Sequence, residues 1–406
     1  MKKGFLGLAV AMLVVSVMAA ACGAGAAAAP AACSGDGGCA TFKATDNIKI
    51  GVGGPMTGDN SAFGIDAYQA AELAVKDAGD FNGRKFEAVQ GDDQGTGDGG
   101  AAVANKFVAD PQIVAVMGHS FSGATSNAMP IYAGKFIPMM GASDTRVDLS
   151  QQKNPAFNRL VSTDKFQGDL GATFLSKNLG AKNVAIIHDG TAYGQALAQG
   201  VSDDLKAANV NVVAFEAINP GETDYSAVLT KIAALKPDAI YFGGYQPEAA
   251  VMAGQKAAAG LKDVPMMSGD GVYGSQFLDL AKDNANGYYV SQAGAPLSDA
   301  RTKFDAEYKA AYGKETGSLS GYSWFAWDAT NVLIAAIKSV GVVSGDTLYI
   351  PRKALMDAVR ATKNYQGLTG TVTCDANGEC ATAPTFVVFQ VQKGAFVQLA
   401  ADFKPQ

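Results

Sequence analysis

The stretch Ile48–Ala78, "IKIGVGGPMTGDNSAFGIDAYQAAELAVKDA", sets a β-branched apolar run, a glycine-rich loop and an apolar pattern at helical spacing end to end. That order of strand, loop and helix then repeats. "FEAVQGDD", "IVAVMG" and "FIPMMGAS" read as strands, with helical "GGAAVANKFVAD" and "GATSNAMPIYAGK" between them. A second series follows, with strands at "VAIIHDG", "VNVVAFEAIN", "DAIYFGG" and "VPMMSGD". Such alternation predicts an α/β fold, because parallel strands need helical crossovers that cover both faces of the sheet. Two series in one chain predict two doubly wound parallel-sheet lobes.

Open parallel sheets bind ligands beyond the carboxyl ends of their strands. Six loops fall there: "GGPMTGDNSAFG", "GHSFSGAT", "MGASDTR", "HDGTAYG", "GGYQPE" and "SGDGVYG". Three belong to each series, which predicts a cleft lined by both lobes.

The chain has 406 residues and a net charge of −6. Residues 1–21 carry only Lys2 and Lys3, so without them the balance is −8. An acidic chain of this kind argues against nucleic acid or anionic lipid as the main partner. The start, "MKKGFLGLAVAMLVVSVMAAAC", reads as a signal peptide over residues 1–21: two lysines, a short apolar run, then small residues. Cys22 after Ala19-Ala20-Ala21 resembles a bacterial lipobox, whose cysteine becomes the lipidated first residue. Ala19-x-Ala21 equally serves a soluble-protein signal peptidase. The expected location is extracytoplasmic, in the periplasm or on the outer face of the cytoplasmic membrane, with a lipid at Cys22 as the only membrane contact. Residues 22–45, rich in Gly and Ala, read as a flexible tether. The other cysteines form close pairs, Cys33/Cys39 and Cys374/Cys380, around the turns "SGDGG" and "DANGE". Disulfides are the default after export. Zinc is the alternative, with only His119 and His188 to complete a site.

Gly118-His119-Ser120-Phe121-Ser122 comes near the Gly-x-Ser-x-Gly nucleophile elbow, but Ser122 stands where the second glycine is required, and no histidine follows His188. The chain is therefore read as a non-enzyme, and His119 and His188 as polar loop residues. "GVGGPMTG", Gly51–Gly58, lacks both phosphate-loop spacings, so no cofactor and no metal are expected. Asp92, Asp93 and Asp224 read as solvated loop acids. What remains is a non-covalent holder. Ser122 opens a helix, where a hydroxyl and free amides suit a carboxylate. Gly141-Ala142-Ser143 adds a hydroxyl and accessible amides, Asp270 a negative charge from the second series, and Tyr193 and Tyr245 flat faces with polar tips. An anion site opposite a cation site suits a zwitterion, namely an amino acid.

At these residues the chain resembles the leucine/isoleucine/valine-binding proteins of branched-chain amino-acid ABC transporters, which have the type I periplasmic-binding-protein fold. "IGVGGPMTG", "GDDQG", "VMGHSFSGAT", "HDGTAYGQ", "PGETDYSAVLTKI", "IYFGGYQPEA" and "SGDGVYGSQF" carry the resemblance, in order, from Ile48 onward. It implies a ligand carboxylate at Ser122, with Gly141, Ala142 and Ser143 in the next loop. Tyr193 and Tyr245 are further contacts, and Asp270 takes the ammonium where better-known members have Glu. Phe63 packs on the ligand side chain, and Phe121 shapes the apolar pocket. Three crossings are implied, near Val161–Thr163, Val290–Gln292 and Gly367–Thr371. Lobe one would hold 46–161 plus 292–368 and lobe two 162–291 plus 369–406, with Cys374/Cys380 stapling a C-terminal hairpin. The implied function is capture of an aliphatic amino acid and delivery to an ABC permease. A different small ligand (amide, urea, aromatic acid) and a sensory binding module are the alternatives.

Overall fold

The computed structural model describes residues 29–381 and 386–403. The expected signal peptide and Cys22 lie outside the described residues.

After a short strand β1 (Cys39–Phe42), the first series forms β2 (Ile48–Gly54), α1 (Ser61–Asp77), β3 (Phe86–Asp92), α2 (Gly97–Ala109), β4 (Ile113–Met117), α3 (Ser122–Ala133), β5 (Met139–Gly141), α4 (Asp148–Gln151) and β6 (Phe157–Arg159). The sheet order is β3-β2-β4-β5-β6, all parallel. The second series is α5 (Asp164–Thr173), β7 (Asn183–His188), α6 (Ala192–Ala207), β8 (Asn211–Ala217), α7 (Ser226–Ala233), β9 (Ala239–Gly243), α8 (Gln246–Gln255), β10 (Met266–Ser268), α9 (Ser275–Ala281) and β11 (Tyr289–Ala293). The chain then returns to lobe one with α10 (Asp299–Tyr312), α11 (Ser323–Val340), β12 (Val342–Ser344), β13 (Thr347–Pro351), α12 (Arg352–Arg360), β14 (Tyr365–Gly367) and β15 (Gly370–Val372). It finishes in lobe two as β16 (Phe386–Gln392) and β17 (Ala395–Gln398), antiparallel additions to the sheet β17-β16-β11-β10-β9-β7-β8.

β4 and β9 are buried along their whole length, as a central parallel strand covered on both faces must be. That is why both read as unbroken apolar runs. Thr96 and Thr191 cap α2 and α6, accepting from the amides of Gly99 and Gly194. Each cap satisfies a donor that a helix start leaves free. α11 lays Phe325, Ala329, Leu333 and Ile337 against α1 and the first sheet, so it belongs to lobe one.

Three boundaries differ from the sequence reading. The expected tether is structured from Ala31. Cys33 and Cys39 are disulfide-bonded, and β1 pairs antiparallel with β13, burying Ala40 and Phe42. Arg84 holds it there by donating to the carbonyls of Phe42 and Lys43 at 3.1 Å. Four residues alternating inward and outward are too short a pattern to separate from a spacer. The second crossing lies at 294–298, because Val290–Gln292 is inside β11. The third moves furthest. The Cys374–Cys380 disulfide does close the "DANGE" turn, but that turn docks on lobe one: Arg159 N–H donates to Gly378 O and Cys380 N–H to Arg159 O. Upstream, buried Asp328 of α11 accepts the amides of Leu368 and Thr369 at 2.8 Å. The described chain is therefore still on lobe one at Cys380 and is in lobe two from Phe386.

Glu379 binds the fully buried guanidinium of Arg159 through two bonds, 2.9 and 2.6 Å. Stranding that cation costs about 3–5 kcal/mol, whereas an exposed pair such as Lys353–Asp357 contributes about 0–1 kcal/mol. Denaturant unfolding of Glu379→Ala should show the larger loss and Lys353→Ala almost none. Equal, small effects would mean that the turn is not anchored through this pair.

Candidate ligand site

The loop from β4 to α3 lies directly on β2, and two glycines make that approach possible. A Cβ on Gly53 would sit 2.6 Å from His119 Nδ1, and one on Gly54 2.6 Å from Ser120 Oγ. His119 is fully buried, its Nδ1 2.6 Å from Asp93 Oδ2 and its Nε2 2.9 Å from Tyr132 Oη. Asp93 and His119 are thus not solvated loop groups. They form a sealed polar triad beneath the loop, built across β3, β4 and α3. His188 is also buried, with Nδ1 accepting from Gly190 N–H. Asp92 and Asp224 do sit at the surface: Asp92 accepts the amide of Gln94 in its own loop and that of Met56 in the β2–α1 loop, and Asp224 accepts the amide of Ser226. With both nitrogens of His119 engaged, Ser120 has no base beside it.

The sealed triad sets the first helical turn of α3. Phe121 precedes it without a side-chain cap, and the first helical bond here is Thr125 N–H to Phe121 O. The amides of Ser122, Gly123 and Ala124 thus start the helix without intrahelical acceptors, as an anion site requires. Ser122 Oγ accepts from Arg146 N–H at 3.2 Å, leaving its own proton to give. Ser143 differs. Its hydroxyl donates to Ser120 O at 2.8 Å, so only its lone pairs remain. Where the sequence reading set Ser143 beside the ligand carboxylate, its hydrogen bonding suits a donor such as an ammonium.

Lobe two supplies the opposite charge. Asp270 follows β10 and is 3 % exposed. Tyr193 donates to its Oδ1 at 2.7 Å and Tyr322 to its Oδ2 at 2.6 Å. Tyr322 stands at the start of α11, in lobe one, so this carboxylate is gripped by a phenol from each lobe. No strand precedes Tyr322, and the sequence reading missed it. Its one local signal is a polar, glycine-containing run, "SLSGYS", at a helix start. The rings of Phe121 and Tyr245 stack across the cleft, 4.2 Å apart and within 10° of parallel, with Phe63 edge-on at 5.3 and 6.0 Å.

Phe63, Phe121, Ser122, Ser143, Tyr193, Tyr245 and Asp270 meet with Ser120 and Gly271 around one cavity of about 10 Å³. Gly141 and Ala142 do not line it. Gly141 instead makes room for Asp144, whose Oδ1 lies 1.9 Å from where a Cβ would be, and Ala142 is buried. Larger cavities of about 510 and 380 Å³ open beside it between the lobes, sharing Arg146 and Ala192. Among the described residues no cluster of three or more His, Cys, Asp or Glu could hold a metal ion, and no helix is long and apolar enough to cross a membrane.

Burial raises the pKa of Asp270, and hydrogen bonds from Tyr322 and Tyr193 pull it back. Asp164 rises to about 8, first through burial and then through the negative charge of Asp270. Asp144 rises to about 7 through burial, with Arg159 opposing.

A two-lobed cleft with helix amides on one wall and a buried acid on the other has the layout of a small-molecule-binding site. A family model described as periplasmic binding protein matches residues 47–395. The chain is 30 % identical over 352 residues to Leu/Ile/Val-binding protein homolog 1 of Brucella abortus (strain 2308), covering 86 % of this chain and 91 % of that one. Against the leucine-specific-binding protein of Salmonella typhimurium it is 32 % identical over 295 residues, 72 % and 79 % of the two chains. The solved branched-chain amino-acid transporter substrate-binding protein LivJ of Streptococcus pneumoniae, in complex with isoleucine, superposes with a TM-score of 0.75 at 26 % identity, over 87 % of this chain and 100 % of that one. The chain belongs to the periplasmic binding proteins, among the Leu/Ile/Val-binding proteins. A solute-binding protein of R. palustris in complex with benzoate shares the fold, with a TM-score of 0.74 at 20 % identity over 87 % and 95 % of the chains.

Because the folded pKa of Asp144 lies above the unfolded value of about 3.9, its protonated form stabilises the fold below about pH 4. That contribution is lost as pH rises to about 7. Ligand-free Asp144→Asn should therefore be more stable than wild type at pH 8, by on the order of a few kcal/mol. Melting temperatures from pH 4 to 8 should diverge steadily up to about pH 7. Parallel curves would mean that Asp144 ionises normally.

Proposed function

We propose that this protein is an exported, lipid-anchored substrate-binding protein of an ABC transporter, which closes its lobes on a branched-chain amino acid and presents it to a permease. The observation that carries the reading is the opposition of Ser122 and the α3 amides on lobe one to Asp270 on lobe two, around one cavity. The ligand carboxylate would take the helix start and the Ser122 proton. Its ammonium would take Asp270 and the free lone pairs of Ser143. Phe63, Phe121 and Tyr245 would enclose the side chain.

An amino acid needs more room than about 10 Å³, so Phe121 and Tyr245 must part to admit it. An aromatic pair contributes about 0.5–1.5 kcal/mol, little against the roughly 8 kcal/mol of a micromolar complex. Parallel faces across the cleft favour a second reading, a flat aromatic acid inserted between Phe121 and Tyr245. Benzoate in the fold neighbour is in keeping with it.

Calorimetry with leucine, isoleucine, valine and benzoate tests both. A bond to a charged group contributes about 1.5–3 kcal/mol, and a stranded buried charge costs more. Asp270→Asn should therefore weaken amino-acid binding about ten- to several-hundred-fold. Ser122→Ala should lose less, since the amides remain. Unchanged affinity in Asp270→Asn contradicts the ammonium site. Benzoate binding without any amino acid binding would select the second reading.

A further inference from the structure

The cavity of about 380 Å³ shares Phe121, Tyr193 and Tyr245 with the ligand cavity, and the stacked rings of Phe121 and Tyr245 stand at their boundary. Three helices start on it. α2 and α3 reach it from lobe one at Gly97 and Gly123, and α6 from lobe two at Ala192. A Cβ on Gly97 would stand 2.6 Å from Asn127 Nδ2 and 3.6 Å from Gly123 O, and one on Gly123 3.7 Å from Ala192 Cβ. The three starts therefore adjoin one another. Thr96 and Thr191 each accept one amide of their own helix, from Gly99 and Gly194. The amides of Gly97, Asp98, Ala192 and Tyr193 are left without intrahelical acceptors.

Each helix start carries the positive end of a macrodipole, about half a charge. Arg146 lines the cavity too, and no Asp or Glu does, although the chain has a net charge of −6. Acids of the adjoining loops are engaged: Asp148 with Arg146, Asp189 with the amide and hydroxyl of Thr191, Asp93 with Gly95 N–H and His119. Side-chain donors remain on the wall. Tyr245 is 6 % exposed, and its hydroxyl has no hydrogen-bond partner among the described residues. Burial keeps that hydroxyl protonated, yet it is not sealed among protein atoms as the unpartnered hydroxyl of Tyr241 is. The ligand cavity, at about 10 Å³, barely admits a water, so the room for a partner lies in the larger one. Ser126 Oγ accepts from Arg146 at 3.3 Å, which leaves its proton to give. Asn127 is exposed at the same wall.

We propose that this cavity is an anion site that bridges the lobes: a small carboxylate or inorganic ion lies between the starts of α2, α3 and α6 and takes hydrogen bonds from their amides, Ser126 and Tyr245. Positive helix ends that meet from opposite lobes repel one another, and an anion between them reverses the sign of that interaction. The site takes a free ion, since the stacked rings separate it from the ligand cavity. The other source of the same chemistry is an acid at the far end of a captured side chain, reaching past those rings. The assignment stands whatever ligand the inner cavity takes.

Melting curves of the ligand-free protein in sodium bromide read the free ion directly. The melting temperature of wild type should climb with bromide and level off, since a bound ion stabilises by mass action. Asn127→Asp, at an exposed position, adds a negative charge to the wall, and Tyr245→Phe removes only a hydroxyl. Each should raise the half-saturating bromide concentration about tenfold or more. An effect of ionic strength alone would be the same in all three proteins. Without that contrast, calorimetry decides on the second source. 2-Aminoadipate, whose side chain ends in an acid, should then bind wild type about tenfold or more tighter than Asn127→Asp, with leucine changed less. If no amino acid binds, the function proposed above fails and the bromide contrast alone decides. Finding neither contrast overturns the proposal.

Discussion

The carboxylate of Asp270 is the group on which the closed arrangement turns. An ionised acid at 3 % exposure is costly unless donors replace the water it has lost. Here one donor is Tyr193, from its own lobe, and the other is Tyr322, from the opposite lobe. Its hydrogen bonding is complete only when the lobes are together. Other polar contacts across the cleft end on lobe-one carbonyls: Ser275 N–H to Ser318 O at 2.7 Å, and the side-chain amides of Gln246, Gln276 and Gln292 to Leu319 O, Asp59 O and Gly321 O at 3.4, 2.5 and 3.2 Å. At about 1 kcal/mol each, such contacts leave the balance between open and closed sensitive to one additional bridging ion. On the proposed function, a zwitterion that reaches α3 and Asp270 together would supply that bridge, since only differential affinity for the closed state shifts the balance.

Lobe one can serve as a fixed wall because its binding loop is set from beneath. The Asp93–His119–Tyr132 triad and the bare α-carbons of Gly53 and Gly54 fix where Ser120 and Ser122 lie before any ligand arrives. Pre-arranged donors cost little ordering on binding. By contrast, Phe121 is seated on Tyr245 of the other lobe. On the proposed function, the apolar part of the site would therefore change as the lobes part, while the carboxylate-binding part would stay put.

Much of this was legible in the sequence, for a physical reason. Central parallel strands are buried on both faces, so β4, β7 and β9 appear as apolar runs, and the loops after them are the ones that meet in the cleft. Seven of the nine expected contact positions line one cavity. What escaped depends on contacts distant in the chain. Tyr322 reaches Asp270 from 52 residues away. Ser143 changes role because a carbonyl at Ser120 takes its proton. Glu379 holds its turn to lobe one through Arg159, 220 residues earlier, and so moves the third crossing. Asp93 and His119 looked like loop polar groups because local sequence does not show that each is the other's partner.

The most direct test is a crystal structure of the protein grown with leucine. The account predicts the ammonium nitrogen within hydrogen-bond reach of Asp270 and of Ser143 Oγ, the carboxylate on Ser122 and the α3 amides, and Phe121 displaced from Tyr245. Leucine bound in the reverse orientation, or bound away from Asp270 with the Phe121–Tyr245 stack intact, would contradict it.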